Sequence, residues 1–132
     1  MSFRYGSGIN KPGFNPLAAQ TTTYTYELWS WGQNNLGQLG DGTVVKKSSP
    51  VQIGALTAWL NVSAGATFAI ATKTDGTLWT WGRNNFGQLG LNNLTNYSSP
   101  KQVGTLTNWS EVKSRLSGVI AVKTDGTLWG WG

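Results

Sequence analysis

Apolar and polar positions alternate in short bursts along most of the chain. In residues 77–81, Thr-Leu-Trp-Thr-Trp, Trp79 and Trp81 fall on one side of an extended backbone and Leu78 and Thr80 on the other. This period of two marks a strand. Asp75-Gly76 stands just before it, a pair suited to a tight hairpin because both residues tolerate positive φ. Residues 68–72, Phe-Ala-Ile-Ala-Thr, are therefore expected as the strand entering the turn and residues 78–81 as the strand leaving it. Gly82 ends that second strand, and residues 83–90 form a Gly-rich loop around Gln88-Leu89. A polar excursion over 91–99 follows, then a short strand over 100–103 that opens on Pro100, a permitted place for proline. A further strand is expected over 109–113.

The whole pattern repeats. Leu-Trp-Ser-Trp-Gly at 28–32 returns as Leu-Trp-Thr-Trp-Gly at 78–82 and Leu-Trp-Gly-Trp-Gly at 128–132, a step of 50 residues each time. Asn34-Asn35-Leu36-Gly37-Gln38-Leu39-Gly40 becomes Asn84-Asn85-Phe86-Gly87-Gln88-Leu89-Gly90, Trp59 becomes Trp109, and Asp75-Gly76 becomes Asp125-Gly126. A fixed period of this length marks a repeat architecture, in which one unit cannot bury its apolar face without neighbours. The reading is all-β: propeller-type blades of about four antiparallel strands in two repeats, 28–77 and 78–127, plus the opening strand of a third. Trp29, Trp31, Trp79, Trp81, Trp129, Trp131, Trp59 and Trp109 recur in register and are expected as the repeat core, with a sugar-stacking surface as the alternative.

Residues 1–27 differ from the repeats, and residues 1–20 show no period of two or 3.6. Pro12 and Pro16 favour extended backbone before them. Phe3, Tyr5, Ile9, Phe14 and Leu17 string apolar side chains along what reads as a docking arm for a partner subunit, the alternative being a loose terminus. The strand formers of residues 21–26 lead into the first repeat, with Tyr24 and Tyr26 on one face and Glu27, Trp29 and Trp31 on the other.

Composition narrows the chemistry. The chain of 132 residues carries 18 Gly and 8 Trp but only 11% charged residues, which suits tight turns and packed strands. The net charge of +5 is spread out, with only Lys46-Lys47 adjacent, and argues against a nucleic-acid groove. No Cys and no His are present, which removes thiol nucleophiles, imidazole bases and Cys/His zinc sites. No segment has the ~20 apolar residues of a membrane span, and the N-terminus lacks a signal-type apolar core. Asp75 and Asp125 are equivalent turn residues, not a catalytic pair. Asp41 and Glu111 are isolated, and too few carboxylates are present for tight Ca²⁺ binding. The Gly-Gln-Leu-Gly pieces lack the Lys-Ser/Thr of a phosphate cradle. No catalytic residue, cofactor or metal is expected.

The run Gly65-x-x-x-Ala-Ile-Ala-x-Lys-Thr-Asp-Gly-Thr-Leu-Trp-Thr-Trp-Gly, continued by Gly-Gln-Leu-Gly, resembles the repeat of the regulator-of-chromosome-condensation (alpha-tubulin-suppressor-like) family. The resemblance covers residues 28–132 and implies a β-propeller, seven-bladed in that family. This sequence departs at Phe68 and Gly118, where the family often has His, and at Arg115, which stands in the place of Gly65. The Gly-Gln-Leu-Gly pieces shape loops and are not the family's exchange-factor or chromatin contacts, so no functional residue is carried over.

A propeller takes roughly 4–8 blades, whereas this chain supplies two and the start of a third. Leaving Trp-bearing faces wet forgoes roughly 1.5–3 kcal/mol per large side chain, and bare strand edges invite pairing. Three outcomes follow: a closed ring of three or four copies, an open filament, or a fragment whose motif continues past Gly132. The expectation is a non-enzymatic structural or adhesion protein that self-assembles through blade edges. Its short arm, few charges and two-repeat body are loosely similar to bacteriophage virion or tail-fibre proteins, which implies a location in a virion or outside the cell after lysis. Other virion proteins or surface glycans are the further expected partners, and no membrane is. The alternatives are a lectin-like carbohydrate-binding propeller, or a fragment of an intracellular regulatory or exchange-factor propeller.

Overall fold

The computed structural model describes residues 24–55 and 58–132. Among the described residues nine strands follow in order: β1 (Trp29–Gly32), β2 (Lys47–Gln52), β3 (Trp59–Ala64), β4 (Phe68–Lys73), β5 (Leu78–Gly82), β6 (Tyr97–Gln102), β7 (Trp109–Arg115), β8 (Gly118–Lys123) and β9 (Leu128–Trp131). They form three antiparallel sheets, β1-β2, β3-β4-β5-β6 and β7-β8-β9. The middle sheet is one complete four-stranded blade. Among the described residues the first sheet holds the counterparts of β5 and β6, and the last holds the counterparts of β3, β4 and β5.

Local chemistry explains the strands. The β4–β5 hairpin closes where Lys73 N–H donates to the Thr77 carbonyl (3.0 Å) and Gly76 N–H to the Lys73 carbonyl (3.0 Å). Gly76 holds φ +82°, the left-handed conformation that the turn requires. The β8–β9 hairpin repeats both bonds at Lys123, Thr127 and Gly126. Beyond the turn, Ala71 pairs with Trp79 and Ala69 with Trp81, so both tryptophans lie over small alanines.

Three features differ from the sequence reading. The complete sheet spans Trp59–Gln102 and so straddles the 77/78 division, because a periodic sequence sets the length of its unit but not its phase. The fourth strand begins at Tyr97, within the expected polar excursion, and carries Pro100 in its interior. Proline is accommodated there because, among the described residues, β6 pairs on one side only, with β5. The Tyr24–Tyr26 stretch does not run into β1 as a strand. Tyr26 instead makes one bridge to Trp59, through N–H···O bonds of 3.0 and 3.3 Å. Residues 21–23 and the arm residues Phe3, Tyr5, Ile9, Phe14 and Leu17 lie outside the described residues.

The core is two apolar layers, one on each side of the middle blade. Ile53, Trp59, Ala69, Ala71 and Trp81, with Leu28, Val51 and Trp79, fill the space between the first and second sheets. Phe68, Ile70, Leu78, Leu89, Trp109, Val112, Val119 and Ala121 fill the space between the second and third. The alternation along β5 thus serves two cores at once: Trp79 and Trp81 face back, and Leu78 faces forward.

Candidate functional site

Among the described residues no three His, Cys, Asp or Glu side chains gather into a metal-binding group. The repeated feature with the most built-in chemistry is the contact between successive blades. Its receiving part is the loop after each third strand. Asn34 is fully buried, donates to the Thr43 carbonyl (2.9 Å), the Val45 carbonyl (3.1 Å) and Asp41 Oδ1 (3.1 Å), and accepts from Leu39 N–H (3.0 Å). Asn84 does the same work, donating to the Asn93 carbonyl (2.8 Å) and accepting from Leu89 N–H (3.0 Å). A buried amide so fully satisfied gives the loop one shape. Gln38 and Gln88 each fold back to accept from a loop N–H, that of Leu36 and of Phe86 (both 2.9 Å).

This shape presents a backbone carbonyl to the next blade. Trp81 Nε1 donates to the Gln38 carbonyl (3.1 Å) and Trp131 Nε1 to the Gln88 carbonyl (3.1 Å). Each indole lies on the last glycine of its Gly-Gln-Leu-Gly loop. A Cβ on Gly40 would stand 2.6 Å from Trp81 Nε1, and one on Gly90 2.7 Å from Trp131 Nε1. The motif is therefore a seat for the second Trp of the following Leu-Trp-x-Trp. The backbone carbonyl that does the accepting left no trace in residue types; its signal was the common 50-residue step of loop and Trp.

The turn residues act within a blade. Thr77 Oγ1 donates to Asp75 Oδ1 (2.6 Å) and accepts from Trp79 Nε1 (2.7 Å); Asp125, Thr127 and Trp129 repeat the relay at 2.7 and 2.8 Å. The Thr hydroxyl and amide hold both carboxyls below the usual carboxylate range. In the first sheet Glu27 replaces the relay and accepts directly from Trp29 Nε1 (3.1 Å). Asp41 is tied into the first loop: burial opposes its charge, but the Thr43 hydroxyl and amide, Lys47 and Asn34 together hold its carboxyl at about 2. Its Oδ2 stands 3.1 Å from Lys47 Nζ.

Several contributors were not singled out from sequence. Lys73 Nζ lies over the rings of Trp79 (3.9 Å) and Trp59 (4.9 Å), and Lys123 Nζ over Trp129 (3.9 Å) and Trp109 (4.8 Å). Their signal was the repeated Lys-Thr-Asp-Gly-Thr. Asn61 Nδ2 donates to the Ser110 carbonyl (3.0 Å) and Ser114 N–H to Ser63 Oγ (2.9 Å), joining β3 to β7 without any repeated motif to announce it.

The eight tryptophans divide by position. Trp59, Trp81 and Trp109 are buried, Trp79 and Trp131 are half-buried, and Trp29, Trp31 and Trp129 are exposed. Trp59 Nε1 donates to the Ile53 carbonyl (3.2 Å), whereas its counterpart Trp109 Nε1 is buried without an acceptor. Beside β1 a cavity of about 440 Å³ opens, with Trp29, Trp31, Val62 and Phe68 in its wall. Trp31 in the first sheet and Trp129 in the last are thus exposed, where their middle-blade counterparts Trp81 and Trp79 are buried and half-buried.

The regulator of chromosome condensation (RCC1) repeat family matches residues 27–72 and 75–115, and a second RCC1 repeat form matches residues 59–88. The chain belongs to that family. No curated protein sequence matches it. Among solved structures it is similar to human WBSCR16, with a TM-score of 0.74 and 23% identity over 83% of this chain. It is similar also to yeast RCC1 (Prp20) in a structure with Kap60 bound, at 0.69 and 22% over 80%. A structure of Prp20p from Saccharomyces cerevisiae, described with its binding to Gsp1p and histones, gives 0.68 and 22% over 80%. The chain spans only 29%, 28% and 29% of those three structures.

Proposed function

We propose that this RCC1-repeat chain is a non-catalytic protein-binding module that supplies propeller blades and completes its open faces with further copies of itself. One observation carries the reading: equivalent positions are sealed inside the chain and bare at its ends. Trp81 is 2% exposed and Trp31 60%; Leu78 is 0% exposed and Leu128 69%. An apolar surface shaped to receive a blade is most simply covered by another blade. Three two-blade copies would make a six-bladed ring and four an eight-bladed one, whereas a contact that fails to close would propagate as a filament. Light scattering on the 132-residue chain tests this. Discrete multimers or filaments are expected, and a compact monomer across all concentrations overturns it.

A second reading is favoured by the structural neighbours. The yeast protein is described as bound to Kap60 and as binding Gsp1p and histones, which suits an intracellular regulatory propeller better than a virion or fibre component. On that reading the open faces belong to a larger propeller that docks protein partners. A stable one-to-one complex with a separate blade-bearing or globular protein, formed by a monomeric chain, would favour it over self-assembly. A glycan array probed with Trp29→Ala and Trp129→Ala tests the lectin-like alternative, for which binding lost in either variant is the required result.

A further inference from the structure

We propose that copies of the chain join by strand exchange, in which β1 and β2 of one copy replace β9 in the last blade of another. The inference rests on the self-association reading and specifies its geometry.

The argument starts from stoichiometry. Three tryptophans occupy the seat-seeking position, Trp31, Trp81 and Trp131, but the described residues hold only two Gly-Gln-Leu-Gly seats. Trp81 fills the Gln38 seat and Trp131 the Gln88 seat of the same chain. Stacking one whole copy on another therefore brings no free seat to Trp31. Trp31 gains one by taking the Gln88–Gly90 seat from Trp131 of a second copy, which leaves the middle blade and its Gln38 seat intact.

The strand that carries Trp31 suits that exchange. β1 and β9 share Leu-Trp-x-Trp with the same spacing. β8 pairs Ala121 with Trp129 and Ile120 with Gly130, so an incoming β1 sets Trp29 and Ser30 at those places. The added side chain fits, because a Cβ on Gly130 meets nothing closer than the Val119 carbonyl oxygen at 3.5 Å. β1 also brings what β9 lacks. β2 comes with it as a fourth strand, in the register that β6 keeps on β5: Trp29 opposite Gln52 matches Trp79 opposite Gln102. Ser30 Oγ donates to the Leu39 carbonyl (2.8 Å) as Thr80 Oγ1 does to Leu89 (2.9 Å), a clip that Gly130 cannot make.

The cavity beside β1 is then the berth of β7 and β8 from the second copy. Val62 in its wall is 53% exposed, whereas its counterpart Val112, already covered by the preceding blade, is 3%. The exchange continues an interface that the chain already makes twice. The β4–β5 return relies on Gly76 in the left-handed conformation, and the equivalent residue before β1 is Tyr26, which does not adopt it. After exchange each copy accounts for two complete four-stranded blades, Leu28 takes the place of Leu128, and β9 is released from β8.

The chain has no cysteine, so a Ser30→Cys/Ile120→Cys double variant offers one cross-link. In one copy these residues lie in the first and third sheets with a whole blade between them. Exchange makes them cross-strand neighbours, and mild oxidation should give a ladder of covalent multimers that reduction collapses. Trp31→Ala, at an exposed position that should leave the circular dichroism spectrum unchanged, should weaken assembly about 100-fold. Trp131→Ala should leave assembly intact or strengthen it. Multimers without the cross-link, equally sensitive to both Trp changes, would overturn strand exchange and leave self-association standing. A monomer at every concentration would overturn both. So would a monomer in which removing residues 1–23 newly exposes Trp31 to a fluorescence quencher, since the chain's own segment would then fill the berth.

Discussion

β4 and β8 are the same strand of successive blades, Phe-Ala-Ile-Ala-Thr-Lys and Gly-Val-Ile-Ala-Val-Lys, and β8 is the more aliphatic of the two. Yet β4 is buried on both faces through five positions, and β8 alternates. Ile70 is 0% exposed and Ile120 54%. The residues are alike, and the surroundings are not: among the described residues β4 has a sheet on either side and β8 only one. Burial in this chain is thus a property of the neighbouring blade rather than of the strand, as expected when units contact only their nearest neighbours.

Substitutions at paired positions should sharpen that contrast, read by urea denaturation at dilutions where copies are separate. The largest difference is expected between Trp81→Ala and Trp31→Ala. The first empties the layer beside Trp59, whose ring centroid lies 5.8 Å from that of Trp81, and should cost about 3–5 kcal/mol. The second should change stability by no more than about 0.5 kcal/mol. Equal losses would mean that Trp31 is already covered within one copy.

Next come Gly40→Ala and Gly87→Ala, both at positive φ (+80° and +77°). At Gly87 the added methyl meets nothing within 4 Å, so only the backbone conformation is penalised, by about 1 kcal/mol. At Gly40 it also displaces the Trp81 indole, and the loss should reach roughly 2–3 kcal/mol. Indistinguishable losses would remove the seat from the account of blade contact.

The smallest effect should be that of acid on the first loop. Asp41 has a folded value of about 2, below the roughly 3.9 of a free aspartate. A depressed value means that its ionised form stabilises the fold above the unfolded value, and that this support is lost as pH falls from about 4 toward 2. The stability gap between the parent chain and Asp41→Asn should be constant above about pH 5 and close by pH 2. The equivalent second loop has Leu91 in that place, so Leu91→Asn should show no such acid-dependent gap.

How much was legible in advance follows from which interactions repeat. Asp75-Gly76 and the Trp-x-Trp alternation placed the β4–β5 hairpin within a residue or two, because turn chemistry and side-chain alternation are local. The all-β class and the 50-residue unit followed from recurrence. The seat formed by Gln38 and Gly40 was not legible, since its acceptor is a backbone carbonyl whose partner is 43 positions along the chain. The Ser63–Ser114 and Asn61–Ser110 contacts were hidden for a related reason: each occurs once, so nothing recurs to mark it.

The sequence alone determined the repeat, its strand chemistry and the absence of Cys and His, because these are properties of residue type and spacing. Tertiary structure alone decided where one blade ends and the next begins, and which of eight near-equivalent tryptophans are sheltered. A period has no origin until hydrogen bonds choose one, and a side chain cannot be buried by the strand that carries it.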